Sequence, residues 1–125
     1  MVKILLLVAS GGTLGALARY LVFRWLGFSM SGFPIATFTA NILGCFLIGV
    51  VWASLASEKY FLIRMFLVTG FLGGFTSFSS FGWESFEMFQ AGKWKMALIY
   101  IGSSNIIGLA MLVLGYLMIE KLLIR

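Results

Sequence analysis

Residues 68–82 read Val-Thr-Gly-Phe-Leu-Gly-Gly-Phe-Thr-Ser-Phe-Ser-Ser-Phe-Gly, which sets glycines, hydroxyls and aromatic rings together inside an otherwise apolar stretch. Phe78 and Phe81 are three residues apart and share a helical face, with Phe71 and Phe75 preceding them. An aromatic ring has a positive edge, so rings presented edgewise can line a route for a small anion without a fixed charge to trap it. Core packing or lipid contact is the plainer use of such a stripe. Gly73-Gly74 weakens a helix locally, and a break there frees carbonyls and N–H groups that only protein, ions or cavity water can satisfy. Carbonyl ends of a broken membrane helix suit a cation and its N-terminal ends an anion. A continuous helix with a small-residue packing face is the alternative.

Other polar residues stand in apolar surroundings. Asn41 is costly there unless its amide finds partners, either through an interhelical hydrogen bond or by donating to a passing anion; Thr39 is the second polar exception in that run. Tyr100 and Ser104 are four residues apart with Gly108 next on the stripe and Ser103 and Asn105 alongside, a spacing that aligns hydroxyls on one helix face. Hydroxyl donors can replace part of an ion's water shell, although a lone serine often bonds back to its own helix. Glu84 lies one turn nearer the phenylalanines than Glu87 and is placed to organise a pore mouth, whereas Glu87 reads as a solvated end residue. Arg19 is the ionisable side chain well inside the first apolar run; it either serves function or a buried pair, or it snorkels to the interface.

Ordinary hydrolytic chemistry has no parts here, so no enzyme activity is expected. The chain has no histidine and only four scattered acids, which leaves neither a His/Cys metal site nor a Ser-His-Asp triad. The single cysteine, Cys45, excludes an intramolecular disulfide and reads as a small packing residue.

These residues must be positioned by membrane helices. Of 125 residues 62% are hydrophobic and only 10% charged, a surface that water could not solvate, and the mean hydropathy is +1.08. Runs without charge cover residues 4–18, 25–57, 65–83 and 96–119, and a span needs roughly 20 apolar residues. The expected fold is all-α and integral to the membrane, a single transmembrane domain over residues 1–125, with spans at about 4–26, 33–56, 62–89 and 94–119. The third is expected to break between Gly73 and Ser77. Lys3 and the apolar residues after it have the outline of a cleaved signal, but Gly11, Gly12, Gly15 and Ala16 continue into Arg19 with helix-interface spacing, which reads as a retained span. Pro34 fits a first helical turn of span two, followed by the close-packing ridges Ala36, Ala40, Gly44 and Cys45, Gly49, Ala53.

The net charge of +5 comes from basic residues spread over the span ends, which points to anionic lipid headgroups and away from nucleic acid. Lys3, Lys59, Arg64, Lys121 and Arg125 fall on one side, against Arg24, Lys93 and Lys95 on the other, with Arg19 close to the latter. Orientation follows Lys/Arg asymmetry, so this small bias predicts insertion both ways and permits an antiparallel pair; a monomer with a modest preference is the alternative.

The segments Gly12-Thr13-Leu14-Gly15-Ala16-Leu17-Ala18-Arg19-Tyr20, Thr37-Phe38-Thr39-Ala40-Asn41-Ile42-Leu43-Gly44 and Gly70-Phe71-Leu72-Gly73-Gly74-Phe75-Thr76-Ser77-Phe78-Ser79-Ser80-Phe81 resemble the Fluc family of fluoride channels, also called CrcB, over nearly the whole chain. The resemblance implies an antiparallel, dual-topology homodimer with two fluoride pores and a central structural sodium ion. It assigns the sodium to the backbone carbonyls of Gly73 and Thr76, the pore rings to Phe78 and Phe81, the pore amide to Asn41, and the polar track to Tyr100 and Ser104. Glu84 matches the glutamate that follows the second ring, and Thr39 and Ser80 are counted with the fluoride pathway, with Arg19 as a structural or field-setting residue. Ser77 and Ser80 stand where threonines are common, Gly82 replaces a usual serine, and Gly108 occupies a position that can be serine, so the last two are not claimed as ligands.

The implied activity is passive, selective fluoride conduction that exports the ion across a bacterial plasma or inner membrane and protects against fluoride toxicity. A small proton-coupled multidrug antiporter is the rival of similar size, but it relies on a glutamate in span one, where this chain has Arg19 and no carboxylate. A non-conducting assembly subunit would account for the small-residue faces but not for the polar cluster.

Overall fold

The computed structural model describes residues 1–27 and 32–123, so Arg125, counted in the charge balance above, and the part of the 25–57 run at residues 28–31 lie outside the described residues. The described chain is helical. Helix α1 spans Val2–Leu26, α2 spans Ile35–Ser54 and α6 spans Trp94–Leu123. Between α2 and α6 the third crossing is composite: a 3₁₀ turn at Glu58–Tyr60, α3 at Phe61–Arg64, a π-helical segment at Met65–Leu72, α4 at Gly73–Phe75 and α5 at Phe78–Gln90. Four stretches, Val2–Leu26, Ile35–Ser54, Glu58–Gln90 and Trp94–Leu123, are long and apolar enough to cross a membrane. Helix α6 runs on past the apolar run to include Glu120 and Lys121, because a helix need not stop where the hydrocarbon does.

Pro34 precedes α2 instead of occupying its first turn: its φ/ψ of −76°/70° is not helical, and its carbonyl accepts the first helical bond from the Phe38 N–H at 3.0 Å. Proline costs nothing there, since the N–H it lacks would have no helical partner. The far end of α2 has a side-chain cap from elsewhere in the chain. Buried Arg64 donates through Nη1 to the carbonyls of Leu55, Ala56 and Ser57 at 2.8, 2.6 and 3.1 Å, pairs with Glu58 at 3.2 Å and lies over the Trp52 ring. The final carbonyls of a helix have no intrahelical donor, and a cation satisfies both their lone pairs and the local dipole.

Small residues set the packing. Helix α1 lies along the π-helical segment and α4, while α2 lies along α6. A side chain at Gly15 would run into the Phe71 carbonyl, and one at Gly49 into the Leu112 carbonyl, so both helix pairs approach backbone to backbone. Gly11, Gly15, Ala36, Ala40, Gly44 and Gly49 are buried accordingly.

Gly73 and Gly74 are themselves helical; the helical path stops two residues later, where Thr76 (φ/ψ −83°/157°) and Ser77 (−146°/100°) are extended. Gly74 is occupied with packing, since a Cβ there would meet the Gly12 carbonyl. The departure from helix falls where side chains from α1 and α2 offer the backbone other partners.

Candidate functional site

Two neighbouring polar clusters occupy the interior. The first is built on Thr76 and Ser77. Arg19 of α1 donates from Nη1 to the Thr76 carbonyl at 3.0 Å. Asn41 of α2 meets Ser77 in both directions: the Ser77 N–H donates to Oδ1 at 2.8 Å, and Nδ2 donates to the Ser77 carbonyl at 3.3 Å. In a continuous α-helix that N–H would reach the Gly73 carbonyl, so Asn41 takes over its role. The buried Ser77 hydroxyl then caps α5, accepting from the Ser80 N–H at 3.1 Å and donating to Ser80 Oγ at 2.7 Å, with Ser79 Oγ at 3.3 Å. Thr76 returns its own hydroxyl to the Leu72 carbonyl at 2.9 Å and rests its methyl group against Gly44, which has no side chain to block it.

The second cluster centres on Glu84 of α5. Thr37 of α2 donates to Oε1 at 2.5 Å, and Tyr100 of α6 donates to Oε2 at 2.8 Å. Thr37 and Tyr100 are the largest fully buried side chains among the described residues, so the carboxylate is held from two helices. The Tyr100 ring meets Phe33 edge-on at 5.3 Å and Phe81 at 5.2 Å, and Phe81 in turn meets Phe78 at 5.5 Å. The rings therefore run in a chain from α6 to the start of α5. One turn along α6 from Tyr100, Ser104 Oγ is buried with no hydrogen-bond partner among the described residues. A buried hydroxyl left unpaired costs about 1–3 kcal/mol. Thr37 and Glu84 also line a cleft of about 340 Å³, together with Phe23, Phe33, Pro34, Glu87 and Lys93, where the end of α1, the start of α2 and α5 converge.

Of the residues singled out in the sequence, Phe78, Phe81, Glu84 and Tyr100 form one connected cluster, with Ser104 a turn beyond it. Arg19, Asn41, Thr76 and Ser80 meet at the extended pair, and Gly73 opens the short α4 that leads into it. Asn41 makes an interhelical bond to backbone, the plainer of its two expected uses. Thr39 is brought to neither cluster by a hydrogen bond among the described residues. The sequence reading missed Thr37 and Ser77. The signal for Thr37 was its spacing of four from Asn41, which puts both on one face of α2, whereas Thr39 lies off that face. Among the described residues no group of three or more His, Cys, Asp or Glu side chains could hold a metal.

Comparison with known proteins gives the family of the chain. The family described as "CrcB-like protein, Camphor Resistance (CrcB)" matches residues 6–116. A relative from Azobacteroides pseudotrichonymphae, named fluoride-specific ion channel FluC, is 39% identical over 124 residues, covering 96% of this chain and 98% of that protein. Fluoride-specific ion channel FluC 1 of Geobacillus kaustophilus is 40% identical, covering 89% and 93%. The FluC of Leptospira interrogans is 42% identical, covering 95% and 96%. With its four apolar crossings and this match over nearly its whole length, the chain is a multi-pass membrane protein and belongs to the CrcB family.

Proposed function

We propose that this protein is a passive, fluoride-selective channel, and that fluoride moves along the rings of Phe78 and Phe81 and the hydroxyls of α6. The observation that carries this reading is the buried Ser104 Oγ, without a hydrogen-bond partner among the described residues, one turn from a tyrosine packed on Phe81. A hydroxyl donor beside ring edges offers a small anion partial replacement for its water shell and no cation to bind it irreversibly. The names of the relatives, all of them fluoride-specific channels, support the choice of ion. The catalytic constellations the chain lacks are not needed, because passage down a gradient involves no bond making.

A second copy completes the pathway in this reading. The Phe78 ring is 83% exposed on a single chain although it begins the ring series, and a pore lined by it requires a further wall. An antiparallel homodimer suits the weak charge bias of the sequence and places two such pathways in one assembly. Sodium at its centre is compatible with the chemistry at the extended pair. The Gly73 carbonyl has lost its α-helical donor to Asn41, and Gly73 is exposed on the single chain. The Thr76 carbonyl leaves the helical direction with ψ 157°. Both are neutral oxygen donors of the kind that hold a hard monovalent cation, whose bound charge would add a positive field to the anion route. Asn41 acts in this scheme by fixing Ser77, not by touching fluoride.

Fluoride efflux from liposomes containing the purified protein, measured with a fluoride electrode and no imposed proton gradient, tests the function. Efflux above that of protein-free liposomes supports a channel, and its absence in correctly folded protein refutes one.

A further inference from the structure

Two polar clamps hold the extended pair, and they differ in charge. Asn41 is neutral, whereas Arg19 brings a full positive charge onto the Thr76 carbonyl at 3.0 Å. Among the described residues no carboxylate pairs with Arg19: Glu84 is held by Thr37 and Tyr100, and the one ion pair present joins Arg64 to Glu58. Its charge at the break is therefore not cancelled locally. A carbonyl oxygen has two lone pairs, so the Thr76 carbonyl can accept from the guanidinium and still face a metal ion.

We propose that Arg19 sets the valence of the cation that the break accepts, restricting it to a monovalent ion; this rests on the sodium reading given above. Repulsion between the guanidinium and an ion on the same carbonyl is proportional to the ion's charge and so doubles for a divalent ion. In an assembly of two copies each brings one guanidinium, and the penalty is applied twice. Divalent cations bound by proteins ordinarily have carboxylates among their ligands to offset such costs, and among the described residues no acid contributes to the bonds around Thr76 and Ser77. A site of neutral carbonyls with a fixed cation behind one of them thus discriminates by charge as well as by size. Arg19 is in this scheme a positioning and selectivity residue that acts through Thr76.

The test is thermal unfolding of the purified, full-length protein in detergent, titrated with sodium or calcium against N-methylglucamine at constant ionic strength. Sodium should raise the melting temperature of the wild type, and calcium should not. Arg19→Gln keeps a hydrogen-bond donor and removes the charge; it should need roughly tenfold less sodium for the same protection and should gain a response to calcium, as expected when a like charge is withdrawn. Arg19→Lys keeps the charge and should retain the wild-type pattern. An unchanged sodium titration with no calcium response in folded Arg19→Gln overturns the selectivity role while leaving the sodium reading intact. A wild type indifferent to sodium overturns both. Should the neutral variant not fold, the wild type decides alone: protection by calcium equal to that by sodium contradicts the proposal.

Discussion

Asn41 and Ser77 pair as neighbouring strand residues would, exchanging bonds of 2.8 and 3.3 Å between a side-chain amide and a main chain that has left its helix. Antiparallel strands satisfy an extended residue in the same two-way manner, and here one carboxamide does so within a membrane-spanning segment. Asn41→Ala should therefore lower stability by about 1–3 kcal/mol, since it orphans the buried Ser77 N–H, while the Ser77 carbonyl keeps the Phe81 N–H at 3.3 Å. Thermal unfolding in detergent measures this, and fluoride flux per folded protein should fall with it. Wild-type stability in Asn41→Ala would show that Ser77 finds other partners.

Ser104 makes the opposite prediction for stability. Its buried hydroxyl has no partner among the described residues, so Ser104→Ala removes an unpaired group and should leave the melting temperature equal or raise it, by up to about 1 kcal/mol of stability. If that hydroxyl serves the passing ion, flux should drop severalfold in the same variant. A variant that is both stable and fully conducting would place the route elsewhere.

The ring series is tested by Phe78→Ile and Phe81→Ile. Phe81 packs on Tyr100 and should cost both stability and flux, whereas Phe78 is exposed on the single chain and should cost flux far more than stability of the protomer. Full flux in both variants would contradict passage along the rings.

Arg64 supplies a control remote from the proposed route. Its removal leaves the carbonyls of Leu55 and Ala56 without the Arg64 donor, Ser57 keeping the Tyr60 N–H, and should destabilise the fold by about 2–3 kcal/mol, a magnitude typical of lost charged hydrogen bonds. Fluoride flux normalised to folded Arg64→Ala protein should stay near that of the wild type. Selective loss of flux would tie the α2 cap to conduction.

Much of this architecture is legible from residue type and spacing. Uninterrupted apolar runs imply crossings, and glycine and alanine repeated every fourth residue imply helices that touch through their backbones, as Gly15 and Gly49 do. The ring and tyrosine positions are legible for the same reason, since Phe78, Phe81 and Tyr100 belong to stretches where polar and aromatic residues are expensive without a purpose. The position of the extended pair is less so. Gly73 and Gly74 have the composition of a break but remain helical, because α1 packs against Gly74 and holds it there. Thr76 and Ser77 leave the helix because Arg19 and Asn41, distant in sequence, satisfy their backbone. Arg64 was equally hidden: counted as an interfacial charge, it is buried against carbonyls, and carbonyls leave no trace in residue identity. Thr37 was overlooked in favour of Thr39 although only the former shares a face with Asn41. Choosing between two threonines two residues apart required knowing which face of α2 meets Glu84.

The most direct measurement compares fluoride and chloride efflux from liposomes under matched gradients, with the membrane potential clamped and no proton gradient. Rapid fluoride efflux with chloride efflux at the level of protein-free liposomes is the expected result. Equal efflux of both ions, or none of either from folded protein, would contradict a fluoride-selective channel.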